Sequence, residues 1–330
     1  MKALVYEGPG RLALREVPEP TPREGELLVR VGAVGICGSD MHAYLGHDER
    51  RPAPLVLGHE AAGTIAAGPR EGTRVTVNPL VGCGACAACG AGRPNLCASR
   101  QILSLPPREG AFAELVAVPE ANVLAVPPGV SDDAASLAEP LACGWHAARL
   151  AREHDPAGFG AGPCAVIGGG AIGLGSALAL RAQGADRIAV AEPHPGRRAV
   201  VARAGFDAFD PAASPPVADG AARVVIDAVG HAATRAHACR LAAPGGVIAH
   251  IGLGEATGGI DARRLTLQEI AFRGTYTYTP DDFRQTAAAI FDGRLGPLDW
   301  TQARPLREGP AAFEELREGR AKSPKIVLRP

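Results

Sequence analysis

Cys164-Ala165-Val166-Ile167-Gly168-Gly169-Gly170-Ala171-Ile172-Gly173 is the stretch on which the fold of this chain turns. Four apolar residues suit a short buried strand, and Gly168, Gly170 and Gly173 form a G-x-G-x-x-G string that opens an alanine-rich segment. In a chain with 42 glycines such a string by itself fits an ordinary strand-to-helix turn as well. Its surroundings give it weight: a strand precedes it, a helical segment follows, and a second apolar run leads to Glu192, 24 residues after Gly168. In that context Gly168 permits the tight turn, Gly170 lets a pyrophosphate approach the backbone, and Gly173 allows close helix–strand packing. Ala171 and Ile172 begin the helix whose positive end would face the phosphates. Glu192 would accept hydrogen bonds from the adenosine ribose, and its charge opposes the extra phosphate of NADP, so NAD is the expected cofactor. Arg197 and Arg198 follow closely and could hold a 2′-phosphate, which keeps NADP as the alternative.

The same rhythm extends outward from this turn. From about residue 141 to 275, short apolar strands alternate with alanine-rich helical segments, as in βαβ units with a parallel sheet. The strand candidates are Cys164–Ile167, Arg187–Ala191, Val224–Asp227 and Val247–Ile251, with helices beginning near Ala171, Arg197 and Ala232. Residues 1 to 140 differ: short β-like runs such as Leu27-Leu28-Val29-Arg30-Val31 and Ala113-Glu114-Leu115-Val116-Ala117-Val118 are separated by Gly and Pro. The tail from 276 to 330 is mixed, with Thr279 as a helix N-cap, Pro280 at the first helical position, Gly293 as a stop and a closing strand Lys325-Ile326-Val327-Leu328. The expected architecture is a nucleotide-binding α/β domain over 141–275, inserted between two pieces, 1–140 and 276–330, of a β-rich domain.

Bulk properties bound the function. With 330 residues, 46% apolar and 21% charged, the chain can bury full cores. Lys plus Arg (34) nearly balances Asp plus Glu (35), which gives no electrostatic reason to expect nucleic acid or an anionic membrane as partner. Charge, Gly or Pro interrupts every long apolar run, so no membrane span is expected. The opening Met1-Lys2-Ala3-Leu4-Val5-Tyr6 reads as a strand rather than an export signal, and the expected compartment is the cytoplasm. Thiols stay reduced there, so the eight cysteines are read first as metal ligands, reactive thiols or buried filler.

Half of those cysteines lie together. Cys83, Cys86, Cys89 and Cys97 form C-x2-C-x2-C-x7-C in a loop dense with Gly and Ala. Four thiolates in a short loop suit a closed tetrahedral zinc site. An iron–sulfur cluster uses the same ligands and is the competing assignment. Two further segments, Gly35-Ile36-Cys37-Gly38-Ser39-Asp40-Met41-His42 and Gly58-His59-Glu60-Ala61-Ala62-Gly63, carry the mix of thiol and imidazole that an open catalytic zinc accepts. Spacing alone does not join them, since a buried Cys or a lone His is more often plain packing.

Taken in order, these motifs make the whole chain resemble the medium-chain, zinc-containing alcohol dehydrogenases, and especially their polyol (sorbitol-type) branch. The resemblance is carried by the opening strand, Gly58-His59-Glu60, the four-cysteine lobe, Gly168–Gly173 and Pro244-Gly245-Gly246. It implies a Rossmann doubly wound parallel sheet inserted in a GroES-like catalytic domain, with one catalytic and one structural zinc. It implies that Cys37 and His59 bind the catalytic zinc, that Ser39 bonds the substrate hydroxyl, that Asp40 stands behind the histidine and that His42 relays a proton. Glu60 matches a carboxylate that binds zinc or swings in and out of its shell. In the polyol branch the third protein ligand is a glutamate, which makes Glu139 the candidate; Cys143, four residues on, is the alternative. Val229, Leu253 and Tyr276 fall in segments that line the nicotinamide side, although ordinary packing at strand ends would place them there too. Where sorbitol dehydrogenases carry a substrate-facing arginine this chain has Thr277, so sorbitol itself is not the expected substrate.

The expected activity is therefore transfer of hydride from a secondary hydroxyl of a polyol to NAD, by a homodimer or homotetramer. Two enzymic alternatives remain: a dehydrogenase of a phosphorylated polyol or cyclitol, for which Arg100 and Arg108 are the loose anion-binding candidates, and a simple alcohol dehydrogenase, which Glu139 disfavours. A non-catalytic NAD-binding regulator would have lost the reactive set, yet Cys37, Ser39, His59, Glu60 and Glu139 are all present.

Overall fold

A computed structural model describes residues 1–68, 70–213 and 216–330. The chain packs as two compact units. The first comprises Met1–Glu139, Thr279–Gly293 and Leu298–Pro330; the second comprises Pro140–Tyr278 with Arg294–Pro297. Where the sequence pattern suggested divisions at 140 and 276, packing divides the chain after Glu139 and after Tyr278, and residues 294–297 count with the second unit.

In the first unit the organising element is the ten-residue strand Glu26–Gly35. Arg30 is exposed between buried Val29 and Val31, the period-two pattern of a half-covered strand, and from Ala33 to Gly35 every residue is buried. Glu60–Ile65 pairs antiparallel along one side, with Gly35 opposite Glu60 and Val34 opposite Ala61. At the same end, Lys325–Arg329 pairs antiparallel along the other side, with Gly35 opposite Val327. Leu115–Pro119 pairs with the beginning of the strand, and Arg74–Val77, Val123–Ala125 and Thr301–Pro305 complete a seven-stranded sheet. A smaller sheet of Arg11–Glu16, Lys2–Gly8 and Leu55–Val56 lies in the same unit. Phe112 and Phe313, both fully buried, meet edge to face at 6.0 Å, and Tyr44 closes on Phe313 at 5.3 Å.

The second unit carries six parallel strands in the order Asp207–Phe209, Ile188–Ala191, Cys164–Ile167, Ala222–Asp227, Ala242–His250, Ala271–Gly274. This is the doubly wound order with its topological switch between Cys164–Ile167 and Ala222–Asp227. The two outermost strands were not legible in the sequence: each is short, and Asp207 and Gly274 at their ends are exposed. The helix expected near Arg197 runs from Pro195 to Arg203, with the His194 imidazole accepting from the Arg197 N–H at 3.2 Å. Gly168 adopts φ +101°, and a Cβ on Gly173 would fall 1.7 Å from the Gly168 carbonyl oxygen, so no larger residue fits this turn. Among the described residues, no helix is long and apolar enough to cross a membrane.

The aromatic cluster sets the stability of the first unit. Phe313→Ala should cost about 3–5 kcal/mol, because two rings lose their partner and the cavity cannot collapse against strand backbone. A fall in unfolding free energy of that size, read from urea denaturation followed by circular dichroism, is the expected result.

Candidate metal and dinucleotide sites

The end of Glu26–Gly35 is where the reactive set assembles. Chain leaving this strand reaches Cys37, which caps the short helix Gly38–Tyr44. The Cys37 N–H donates to Asp40 Oδ2 at 2.9 Å, fixing the thiol-bearing residue against the first helical turn. Asp40 is fully buried, and its Oδ1 accepts from Gly58 N at 3.2 Å and faces His59 Nδ1 at 3.6 Å. Burial opposes its charge, but His59, Arg51 and the Cys37 N–H outweigh that, so the carboxyl stays below the usual aspartate range. Asp40 thus stands behind His59, and Ser104 Oγ approaches the same ring nitrogen at 3.4 Å.

Cys37, His59 and Glu60 bring one ligand atom each within 4.8 Å of one another. A thiolate, an imidazole and a carboxylate are a donor set that zinc accepts while keeping one position open. An orphan atom supports the fit: Glu60 Oε2 is buried with no hydrogen-bond partner, although buried carboxylate oxygens normally have one. A Cβ on Gly35 would fall 2.0 Å from that oxygen, so the carboxylate occupies space that only glycine leaves open. Glu139 is not part of this three-residue group. Its buried side chain lies in the first turn of the helix Ala138–His154, where the carboxylate acts on Lys325 instead.

Lys325 was missed in the sequence, where it opens a strand and nothing more. Its Nζ donates to Glu60 Oε1 at 2.6 Å and to the Ile36 carbonyl at 2.9 Å, and the residue is 4% exposed. Burial works against its charge, yet Glu60, Cys37 and Glu139 together hold the ammonium pKa above its ordinary value. One signal was available: the chain has only three lysines, Lys2, Lys322 and Lys325, and one of them heads an apolar strand. Ser39 is half-buried on the helix after Cys37, and His42 is exposed one turn later on the same face.

The four cysteine sulfurs of the lobe also lie within 4.8 Å of one another, with Cys97 buried and Cys83 exposed. Backbone N–H groups of Ala85 and Cys86 bring the Cys83 thiol down to about 6. Loss of hydration pushes Cys89 up to about 11. A cation would relieve that asymmetry by drawing all four thiols into their anionic form.

In the second unit, Gly168, Val229, Leu253 and Tyr276 follow the C-terminal ends of four strands of the parallel sheet. A Cβ added at Gly170 would meet nothing within 4 Å, which leaves the approach to the backbone open beside Ala171 and Ile172. Glu192 is 3% exposed; its Oε2 accepts from Gly169 N and its Oε1 from His194 N, both at 2.8 Å. Arg197 Nη2 stands 3.3 Å from Glu192 Oε1, whereas Arg198 spends its guanidinium on the Glu192 and Pro193 carbonyls and on Asp210. Thr277 takes φ +48°, strained for a β-branched residue, and its buried hydroxyl has no partner. Arg108 donates to Glu26 and Gln101, and Arg100 donates to the Cys97 carbonyl.

Two tests follow from this geometry. Lys325→Met leaves Glu60 charged, buried and unpaired, and should cost about 3–5 kcal/mol in urea unfolding at neutral pH. The second concerns pH. His59 must be neutral to bind a cation, and although burial lowers its pKa, Asp40 and Cys37 raise it well above the ordinary value. Protons therefore compete for this site already above the usual histidine range. Zinc affinity, measured by chelator competition, should weaken steadily from about pH 8 to about pH 6 and recover on return.

Comparison with known proteins shows the family. The alcohol dehydrogenase GroES-like domain family matches residues 23–128, and the zinc-binding dehydrogenase family matches residues 171–292. The chain is 32% identical to L-galactonate-5-dehydrogenase of Escherichia coli over 309 residues, 89% of this chain and 88% of that one. It is 37% identical to sorbitol dehydrogenase of Bacillus subtilis over 206 residues, 60% of this chain and 57% of that one. A solved structure from Sinorhizobium meliloti, described as a zinc-binding dehydrogenase bound to NADP, superposes with a TM-score of 0.90 at 29% identity, covering 100% of this chain and 99% of the other. With its sheet orders, its two clusters of metal-ligand residues and these likenesses, the chain belongs to the zinc-containing medium-chain dehydrogenases, in the family that includes the polyol dehydrogenases, and is an oxidoreductase.

Proposed function

We propose that this chain oxidises a secondary hydroxyl of a polyol or polyhydroxy acid, with NAD as the hydride acceptor. The observation that carries this is the trio of Cys37, His59 and Glu60, in which the buried Glu60 keeps one carboxylate oxygen without a hydrogen-bond partner. Cys37, His59 and Glu60 would hold the catalytic zinc, and the four-cysteine lobe a structural one. The catalytic metal supplies Lewis acidity toward the substrate oxygen. Ser39 accepts the substrate proton at Oγ, and His42, exposed one turn further on, passes it to water. Asp40 keeps the His59 ring turned with Nδ1 inward, which leaves Nε2 for the metal. Glu139 acts on the ammonium that Glu60 shares, and is the alternative carboxylate for the metal.

On the dinucleotide side, the turn at Gly168–Gly173 and the N-terminus of Ala171–Ala182 would receive the pyrophosphate. Glu192 already accepts two backbone N–H groups, yet a carboxylate has about four acceptor positions, which leaves capacity for ribose hydroxyls. Its buried charge favours NAD over NADP, while Arg197 offsets part of that charge. Val229, Leu253 and Tyr276 would border the nicotinamide. All eight cysteines are free thiols, which suits a reducing, cytoplasmic setting, and the polyol branch suggests a homodimer or homotetramer.

Reduction of NAD and of NADP should be followed at 340 nm against polyols, sugar acids, polyol phosphates, cyclitols and simple alcohols. Chelator-sensitive turnover of a polyhydroxy substrate, faster with NAD, is the expected outcome. Cys37→Ala should abolish it while NAD still binds. Preference for simple alcohols, or for NADP, would refute the corresponding part of the proposal.

A further inference from the structure

Arg51 is 5% exposed, which is unusual for a guanidinium away from any nucleotide phosphate or carboxylate substrate. Its Nε and Nη1 both donate within the first unit. Nε donates to the Ser104 carbonyl at 2.9 Å, and Nη1 donates to Asp48 Oδ2 and, at 3.5 Å, to the Ser39 carbonyl. Asp48, whose side chain is 8% exposed, is held in turn by both the backbone and the guanidinium of Arg50. A buried ion pair of this kind is a weak source of stability, because desolvation offsets the attraction. What a rigid, forked donor gives is geometry.

The two carbonyls that Arg51 joins belong to residues on either side of the metal-ligand trio. Ser39 lies two residues after Cys37 in the helix that carries it. Ser104 is fully buried, adopts φ +66°, and sets its hydroxyl 3.4 Å from His59 Nδ1. A serine in the left-handed region is held there by its surroundings rather than by its own preference. The bond from Arg51 Nε to its carbonyl is what pins this peptide. Asp40 Oδ1 faces the same nitrogen at 3.6 Å, so the hydroxyl and the carboxylate hold Nδ1 together.

We propose that Arg51 is a positioning residue of the metal centre: it ties the Ser104 and Ser39 carbonyls to one guanidinium, and the Ser104 hydroxyl in turn holds the plane of the His59 ring, whose tautomer Asp40 sets. The proposal rests on Cys37, His59 and Glu60 being the metal site. The bonds of Arg51 go to Ser104, Ser39 and Asp48 and not to the trio itself. Its effect reaches the imidazole through one hydroxyl, and reaches Cys37 through the backbone of the first helical turn.

The test uses cobalt(II) in place of zinc in the full chain. A difference spectrum against Cys37→Ser isolates this centre, because that variant keeps the four-cysteine lobe. Metal affinity is read in parallel by chelator competition. Arg51→Met and Ser104→Ala should each weaken binding at this centre about 10- to 100-fold and alter the cobalt bands, leaving the lobe unchanged. The double variant should lose little more than the worse single one, since both act along one path. Arg51→Lys, which keeps the charge but not the fork, should recover only part of the loss. An Arg51→Met protein that melts earlier yet binds cobalt with native affinity and native bands would overturn the proposal and leave Arg51 a strut. Should Arg51→Met not fold, Ser104→Ala decides alone: native affinity and bands there overturn it equally. A wild-type protein indistinguishable from Cys37→Ser would instead sink the metal-site assignment itself.

Discussion

A carboxylate buried against a glycine governs the first unit. Strand register sets Glu60 opposite Gly35, and the missing Cβ of Gly35 is the space that Glu60 Oε2 occupies. The same end of the same strand is flanked on its other side by Lys325–Arg329, which delivers an ammonium to Glu60 Oε1. A one-residue slip in either pairing would turn these side chains to the opposite face. Because a buried carboxylate needs a countercharge, register, glycine and lysine form one requirement rather than three. Its result is a negative group with one oxygen satisfied and one waiting, beside a thiol and an imidazole.

The second unit meets a different demand by backbone rather than by charge. Its parallel sheet and its switch between central strands put a turn at the start of a helix, where unpaired N–H groups face outward. Close packing of Gly173 on Gly168 brings the helix onto the strand, so the opening of the turn is held rigidly. Glu192 then joins the turn to the next strand end through the Gly169 N–H. Arg197 faces that carboxylate in turn, one charge against another at 3.3 Å.

Legibility differed between these two demands. The dinucleotide turn is local: ten consecutive residues contain the strand, the glycines and the helix start, and their spacing carries the geometry. The cysteine lobe is local too, since fifteen residues hold all four ligands. The reactive centre was readable in its parts, because Cys37 and His59 sit in distinctive segments, but only the resemblance to a family joined them. Lys325, Ser104 and Arg51 escaped altogether. None has neighbours in sequence that mark it, and each reaches the centre through a contact across tens to hundreds of residues.

By itself, then, the sequence determined the alternation of strands and helices in the second unit, the turn that opens it, and the two sets of candidate ligands. These depend on residue type and short spacing, which hold in any tertiary setting. Tertiary structure alone placed Glu60 beside Cys37 and His59, and set Glu139 where its charge acts on Lys325. It also decided that Lys325 is buried, and that Arg51 binds two carbonyls 65 residues apart. The physical reason is that side-chain partnership follows strand register and burial, and both are settled by pairings between segments far apart along the chain.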